Sequence, residues 1–419
     1  MNADRPAHLT ITLWDFSWYT RAGDAYADLE RCVHEAVERG YNTLRICAMP
    51  LLLFGDHDLP ERSSLTVTGM GNGYGSGSRW YDGRTSATFD PLQRLARLFE
   101  LAREHDLFVI ISSWEYQQSA ALSATPAWYE MLEAIPYPHR FAALAAALNR
   151  MLGWLEQRRL ADRIAYVELH NEIEYSRFGP DPATDPASAD LHHDAVFAAV
   201  AALRRAHPEV LVTACYARPQ TARAAELPSN LQVAHVHTYV YGVLGALDRA
   251  LGLPPYERAG FPSPALRAML PADVPSPQAH FPDGAWRLDA SVLTPERAYV
   301  FDFIDPGEYD SWLVEHFGAW TERMRTGLTR WIEDVAGWAD SLGVPAVLGE
   351  GYVGYTPLRS RFEMSPIGKS ICEHAVDEAL RCGYWGLVLC SNCAPNHPDW
   401  AEVEWQRAVN ERISREARA

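Results

Sequence analysis

Two stretches of the chain carry residues that suit chemistry. Arg163–Glu172 reads as an apolar strand that ends in His170, Asn171 and Glu172. Burying such polar groups without partners is costly, so their clustering at a strand end points to a site. Val344–Glu350 is a second strand, and it ends in a lone carboxylate between Gly349 and Gly351. The small neighbours leave room for a ligand to approach the backbone. Two facing carboxylates are what glycosidic cleavage needs. One holds a proton for the leaving oxygen, and the other attacks the anomeric carbon or activates water. Their environments set the two pKa values apart and so assign the roles. A single strand-end Glu would read as a salt-bridged loop residue; the pair carries the functional reading.

The elements that must position these residues follow from periodicity. Strands are expected at Leu9–Phe16, Asn42–Cys47, Leu107–Trp114, Arg163–Glu172, Val210–Tyr216, Leu231–Tyr241, Val344–Glu350 and Tyr384–Ser391. Helical patterns lie between them, at Ala25–Arg39, Asp90–His105, Thr125–Ala134, Arg140–Arg159, Ala189–Ala206, Pro219–Glu226, Tyr309–Leu342 and Gly368–Arg381, and Trp400–Glu416 closes the chain. Asp90-Pro91 supplies an N-cap followed by a proline at the first helical position. Eight strands alternating with helices imply parallel pairing through right-handed crossovers, and so a single (β/α)8 barrel over residues 1–419. A doubly wound open sheet is the alternative, but no strand is followed by a G-x-G-x-x-G fingerprint. The excess length falls at about 48–89 and 242–308, after strands two and six. Both insertions would stand on the C-terminal face, as walls or lids of a pocket. The glycine-rich run from Gly69 lacks the Lys-Ser/Thr ending of a phosphate loop.

Composition excludes other classes. The net charge of −17 argues against a nucleic-acid or anionic-membrane partner. No apolar run of about 18 residues is present to span a membrane. The start shows no basic segment followed by an apolar stretch, so a cytoplasmic location is expected. Seven scattered cysteines suit small buried thiols in a reducing compartment. Cys390 and Cys393 form one C-x-x-C, with no second pair at zinc spacing.

With these motifs in order, the sequence resembles the retaining glycoside hydrolases of clan A, the cellulase-type (β/α)8 superfamily, and within it the cellulase-like sugar-active proteins. The resemblance runs from about Leu9 to Cys393. It implies that Asn171-Glu172 is the Asn-Glu pair ending strand four, with Glu172 as acid/base. It implies that Glu350, ending strand seven, is the nucleophile and that Arg45, late in strand two, supports it. His237 and Tyr239 in His-Val-His-Thr-Tyr match the His and Tyr that line the site from strand six. Two departures stand out. Strand eight ends in Cys390-Ser391-Asn392-Cys393 without the usual Trp, and strand three ends in Ser112-Ser113-Trp114-Glu115 without a His.

Elementary electrostatics fits these roles, because Arg45 beside Glu350 would favour the ionised form. Asn171, a neutral donor and acceptor, suits a sugar 2-hydroxyl. Residues two apart on a strand share a face, so His235, His237, Tyr239 and Tyr241 would point one way, His235 deepest and in a packing role. Trp14, Asp15 and Trp18 at strand one suit sugar stacking and hydroxyl contacts, as do Trp114 and Glu115 at strand three; Trp14 fits the core equally well. Tyr352 and Tyr355 follow the proposed nucleophile and would cover it. His192-His193-Asp194 reads as a solvated helix start. No cofactor and no metal are implied; the expected partner is an oligosaccharide or glycoside. Two other readings remain open, a carbohydrate-binding barrel without turnover and a metal-dependent barrel hydrolase.

Overall fold

A computed structural model describes residues 5–179, 192–217, 227–240, 242–252, 260–354 and 356–416. The expected helix Pro219–Glu226 and the residues Tyr241 and Tyr355 lie outside the described residues.

The eight barrel strands are β1 (Leu9–Asp15), β2 (Thr43–Cys47), β3 (Phe108–Ser112), β4 (Ile164–Glu168), β5 (Val212–Thr213 and Cys215–Tyr216), β6 (Ala234–Tyr239), β7 (Ala346–Tyr352) and β8 (Gly386–Val388). All neighbours pair in parallel, and β8 pairs back onto β1. β5 closes the ring in two pieces. Val212–Thr213 pairs with β4, Cys215–Tyr216 pairs with β6, and Ala214 separates them. This is the (β/α)8 barrel expected from the alternation of elements. Its strands are buried throughout, which explains why they read as continuous apolar runs rather than alternating ones.

The barrel interior is apolar in one part and polar in another. Leu9, Ile11, Ile110, Tyr166, Val347 and Trp385 join one buried cluster. The residues that end β4, β6 and β7 are polar and equally buried. Several boundaries differ from the sequence reading. β4 stops at Glu168, so His170, Asn171 and Glu172 stand beyond the strand. The long helix expected over Tyr309–Leu342 is two helices, Pro306–Phe317 and Thr321–Leu342, joined by a turn at Gly318–Trp320. The first begins early because Asp305 caps it, accepting from the N–H groups of Gly307 and Glu308 at 2.9 and 3.0 Å, with Pro306 at its first position.

The two insertions clasp each other. Asp302 accepts from the backbone N–H groups of Gly75 and Gly77 at 2.7 and 2.5 Å, and from His280 at 2.7 Å. Asp283 donates its N–H to Met70 at 2.8 Å, and the Tyr74 ring stacks on His280 at 4.9 Å. At Gly77 an added Cβ would lie 1.8 Å from the Phe301 carbonyl, so only glycine allows this approach. The glycine-rich run is thus half of an interlock between two loops.

Asp302→Ala leaves backbone donors without acceptors, each costing about 1–3 kcal/mol. Urea unfolding should show a loss of at least about 2 kcal/mol, and Asp302→Asn, which keeps an acceptor, should lose less. Equal stability of wild type and Asp302→Ala would mean that the clasp carries no weight.

Candidate active site

The site begins with Arg45, whose side chain is fully buried in β2. Its Nε and Nη2 donate to both oxygens of Glu168 at 3.1 and 2.8 Å. Nη1 donates to Glu350 Oε1 at 2.8 Å, and Nη2 also reaches Asn171 Oδ1 at 2.6 Å. The Trp114 ring covers the guanidinium at 4.7 Å. The rigid fork of arginine suits this division, since it can serve two carboxylates at fixed angles. Together, the carboxylates outweigh the desolvation of the buried guanidinium and hold its pKa well above the ordinary value.

Glu350 sits near the end of β7, in register with His237 of β6. Burial pushes its pKa up, but His237, Arg45 and the Tyr239 hydroxyl together outweigh burial and bring it below the ordinary 4.5. Tyr239 donates to Glu350 Oε2 at 2.7 Å. Ser391, just beyond β8, is 3.1 Å from the Tyr239 hydroxyl and accepts from the Gly351 N–H at 2.8 Å.

Glu172 is placed by a backbone in the left-handed region, with φ +43°. That conformation is unfavourable for a residue with a side chain and recurs at functional positions. Its Oε1 is 2.8 Å from His237 Nδ1, and its Oε2 accepts from Gln117 Nε2 at 3.1 Å. Gln117 also accepts from Asn171 Nδ2 at 2.8 Å. On its other side, His237 Nε2 is 3.2 Å from Cys215 Sγ and 3.6 Å from Glu350 Oε1. Burial pushes the Cys215 thiol well up. His237 thus stands between the two carboxylates, Nδ1 toward Glu172 and Nε2 toward Cys215 and Glu350. One oxygen of Glu172, one of Glu350 and a ring nitrogen of His237 all lie within 4.8 Å of one another.

Six of the residues singled out in the sequence meet in this network: Arg45, Asn171, Glu172, His237, Tyr239 and Glu350. The others stand around it. Trp114 packs on Arg45. Asp15 accepts from Ser17 N–H at 2.6 Å and pairs with Arg79 at 3.1 Å. Trp14 is fully buried, edge-on to Tyr26 at 5.2 Å. Tyr352 is also fully buried and donates its hydroxyl to the Val388 carbonyl at 3.0 Å, so its polar end is used within the fold. Trp18 donates to the Cys47 carbonyl at 2.8 Å. Glu115 caps the helix Pro50–Phe54, accepting from Leu51 and Leu52 N–H at 2.9 and 2.8 Å, and burial pushes its pKa up to about 7. Gly349 does not make room for a ligand as expected. An added Cβ there would lie 1.8 Å from His235 Nε2, so the glycine accommodates that imidazole. His235 itself packs against Tyr166 and Glu168, at 2.8 and 3.2 Å.

The sequence reading overlooked Glu168, Gln117, Arg79 and Ser391. Glu168 was detectable, because Tyr166, Glu168 and His170 share one face of a strand by alternation. Gln117 and Arg79 lie in loops, where no periodicity flags them.

A family model described as "Cellulase-like: Sugar-binding cellulase-like" matches residues 11–241 and 301–414. The chain belongs to the cellulase-like family. The stretch between the two matched parts is most of the insertion after β6, so the family's shared features lie in the barrel and its strand ends. No curated protein matches the chain. Among solved structures, it resembles a Parabacteroides distasonis protein provisionally described as a glycoside hydrolase, with 19% identity, 98% of this chain and 94% of that chain covered, and a TM-score of 0.69. It also resembles the endo-β-1,4-mannanase from Thermotoga petrophila, at 14% identity, 98% and 77% coverage and a TM-score of 0.51. A GH5_18 protein from Streptomyces cattleya in complex with GlcNAc gives 15% identity, 99% and 81% coverage and a TM-score of 0.51. What this cellulase-like chain shares with them at such identities is the barrel fold.

The lowered pKa of Glu350 has a defined effect on acid stability. A carboxylate held below its unfolded value stabilises the fold above that value, and the contribution is lost as pH falls through the folded pKa. Tyr239→Phe removes one group that lowers it. In 13C-glutamate-labelled protein the Glu350 carboxyl should then titrate at higher pH than in wild type, and acid unfolding should begin at higher pH. An unmoved titration would show that Tyr239 does not hold the carboxylate.

Proposed function

We propose that the chain is a retaining β-glycoside hydrolase working by double displacement, with Glu350 as nucleophile and Glu172 as acid/base. The observation that carries this reading is the approach of the two carboxylates, with an oxygen of each within 4.8 Å of the other. Retaining enzymes hold their carboxyl groups about 5–5.5 Å apart, whereas inverting enzymes need roughly 6.5–9.5 Å to admit a water.

The environments support distinct roles. Glu350 is bonded to Arg45 and Tyr239, both of which favour its ionised, attacking form. Among the described residues Glu172 has no arginine partner, and its carboxyl oxygens meet His237 and Gln117. In the proposed role it supplies the proton for the departing oxygen, with His237 and Gln117 orienting its two carboxyl oxygens. In the first step Glu350 bonds to the anomeric carbon as the glycosidic C–O bond breaks and Glu172 protonates the leaving group. In the second, Glu172 takes a proton from water, which attacks the same carbon and releases Glu350. Asn171 keeps one N–H and one lone pair beyond its bonds to Gln117 and Arg45, which suits a sugar 2-hydroxyl. The clasped insertions favour a walled pocket and release of terminal sugars from oligosaccharides or glycosides.

The family's description as sugar-binding favours a second reading, a barrel that holds a sugar without turnover. A panel of aryl glycosides, with the product anomer followed by NMR, separates the two. Turnover with retained configuration, reduced at least about 10³-fold in Glu350→Ala, is expected. Inversion would refute the nucleophile assignment, and saturable binding without turnover would establish the second reading. Glu172→Gln should slow glycosides with poor leaving groups far more than activated aryl glycosides, because only the former need the proton in the first step. Equal slowing of both would remove Glu172 from the acid role.

A further inference from the structure

A second polar cluster lies behind β8 and takes no part in the network above. Cys390 follows β8, Cys372 sits on the helix Pro366–Arg381, and Glu363 is in the loop that leads into that helix. Both Sγ atoms and a Glu363 oxygen lie within 4.8 Å of one another. All three residues are buried, Glu363 with only 1% of its surface exposed. Cys393 is likewise a free, buried thiol.

Two features set this cluster apart from ordinary packed thiols. Glu363 Oε1 is buried with no hydrogen-bond partner, while Oε2 accepts from Asn392 Nδ2. No described ion pair involves Glu363. A carboxylate buried beside thiols, with one oxygen orphaned and no cation, is costly as it stands. A borderline-soft divalent cation resolves that cost. Thiolates and a carboxylate oxygen are the donors zinc takes, and the bond from Asn392 to the other oxygen is the outer support such ligands usually have.

We propose that Glu363, Cys372 and Cys390 bind a zinc-class metal ion. Binding releases the thiol protons to solvent and needs no oxidant. The chain brings these donors together from a loop, a helix and a strand end, so C-x-x-C spacing alone could not reveal the set. The ion would act structurally. It would pin Ser391 and Asn392, the first of which contacts Tyr239 and the second of which accepts from Arg79 at 3.3 Å.

The full chain, produced with zinc in the medium and dialysed into metal-free buffer, should retain about one zinc per chain by elemental mass spectrometry. Refolded with Co2+ alone, it should show thiolate-to-cobalt charge-transfer absorption that Cys372→Ser abolishes. Glu363→Gln keeps the shape and the thiols. It should fold as judged by circular dichroism yet hold zinc at least about tenfold more weakly against a chromophoric chelator. That variant keeps the test decisive if Cys372→Ser misfolds. Wild type that folds fully without metal and gives no cobalt–thiolate absorption would overturn the proposal. Metal bound without that absorption, at His237 and the two active-site carboxylates for instance, would overturn it equally, as would unchanged zinc affinity in Glu363→Gln.

Discussion

Everything polar in the barrel depends on one guanidinium shared between two carboxylates. Arg45 binds Glu168 through two nitrogens and Glu350 through a third. One positive charge thus faces two negative ones in a place where water cannot help. Such a group is expensive to bury alone and rewarding to bury paired, and removing either partner would strand the others at a cost of about 3–5 kcal/mol. The fold therefore tolerates little variation here. Ser112 adds a bond to Glu168 at 2.6 Å, so the carboxylate given no part in the proposed reaction is tied on both sides and can orient the arginine.

From that centre the site rises in layers. Deepest are Tyr166, His235 and Glu168, in contact with one another inside the barrel. Above them Arg45, Asn171 and His237 link the two carboxylates of the proposed reaction. Tyr239 and Ser391 then join β6 to the ends of β7 and β8. Each layer holds the next in place by hydrogen bonds that use most of the available donors. Little reorganisation is left for the moment of reaction, which is the condition under which fixed dipoles and charges are most effective.

The sequence made the barrel legible because buried parallel strands are short apolar runs and the helices between them carry clear caps. It also made the strand-end carboxylates legible, because Glu172 and Glu350 interrupt apolar segments. What it hid depends on three-dimensional closure. Glu115 looks like Glu172 in sequence, a carboxylate just past a strand, yet it caps a short helix. Gly349 looks like a space for a ligand and is filled by His235. Gln117 and Arg79 reach the site from loops whose path no periodicity encodes. The turn at Gly318–Trp320 divides what reads as one helix, because the flanking residues remain helix-compatible throughout.

The clasp between the two insertions has a consequence for how these loops can change. Asp302 belongs to the segment after β6, and the donors it satisfies, Gly75 and Gly77, belong to the segment after β2. The two loops are one part delivered in two instalments. Replacing either alone would leave a buried carboxylate without donors or backbone amides without an acceptor. A new rim must therefore arrive as a matched pair, even though the barrel beneath it would accept many such pairs unchanged.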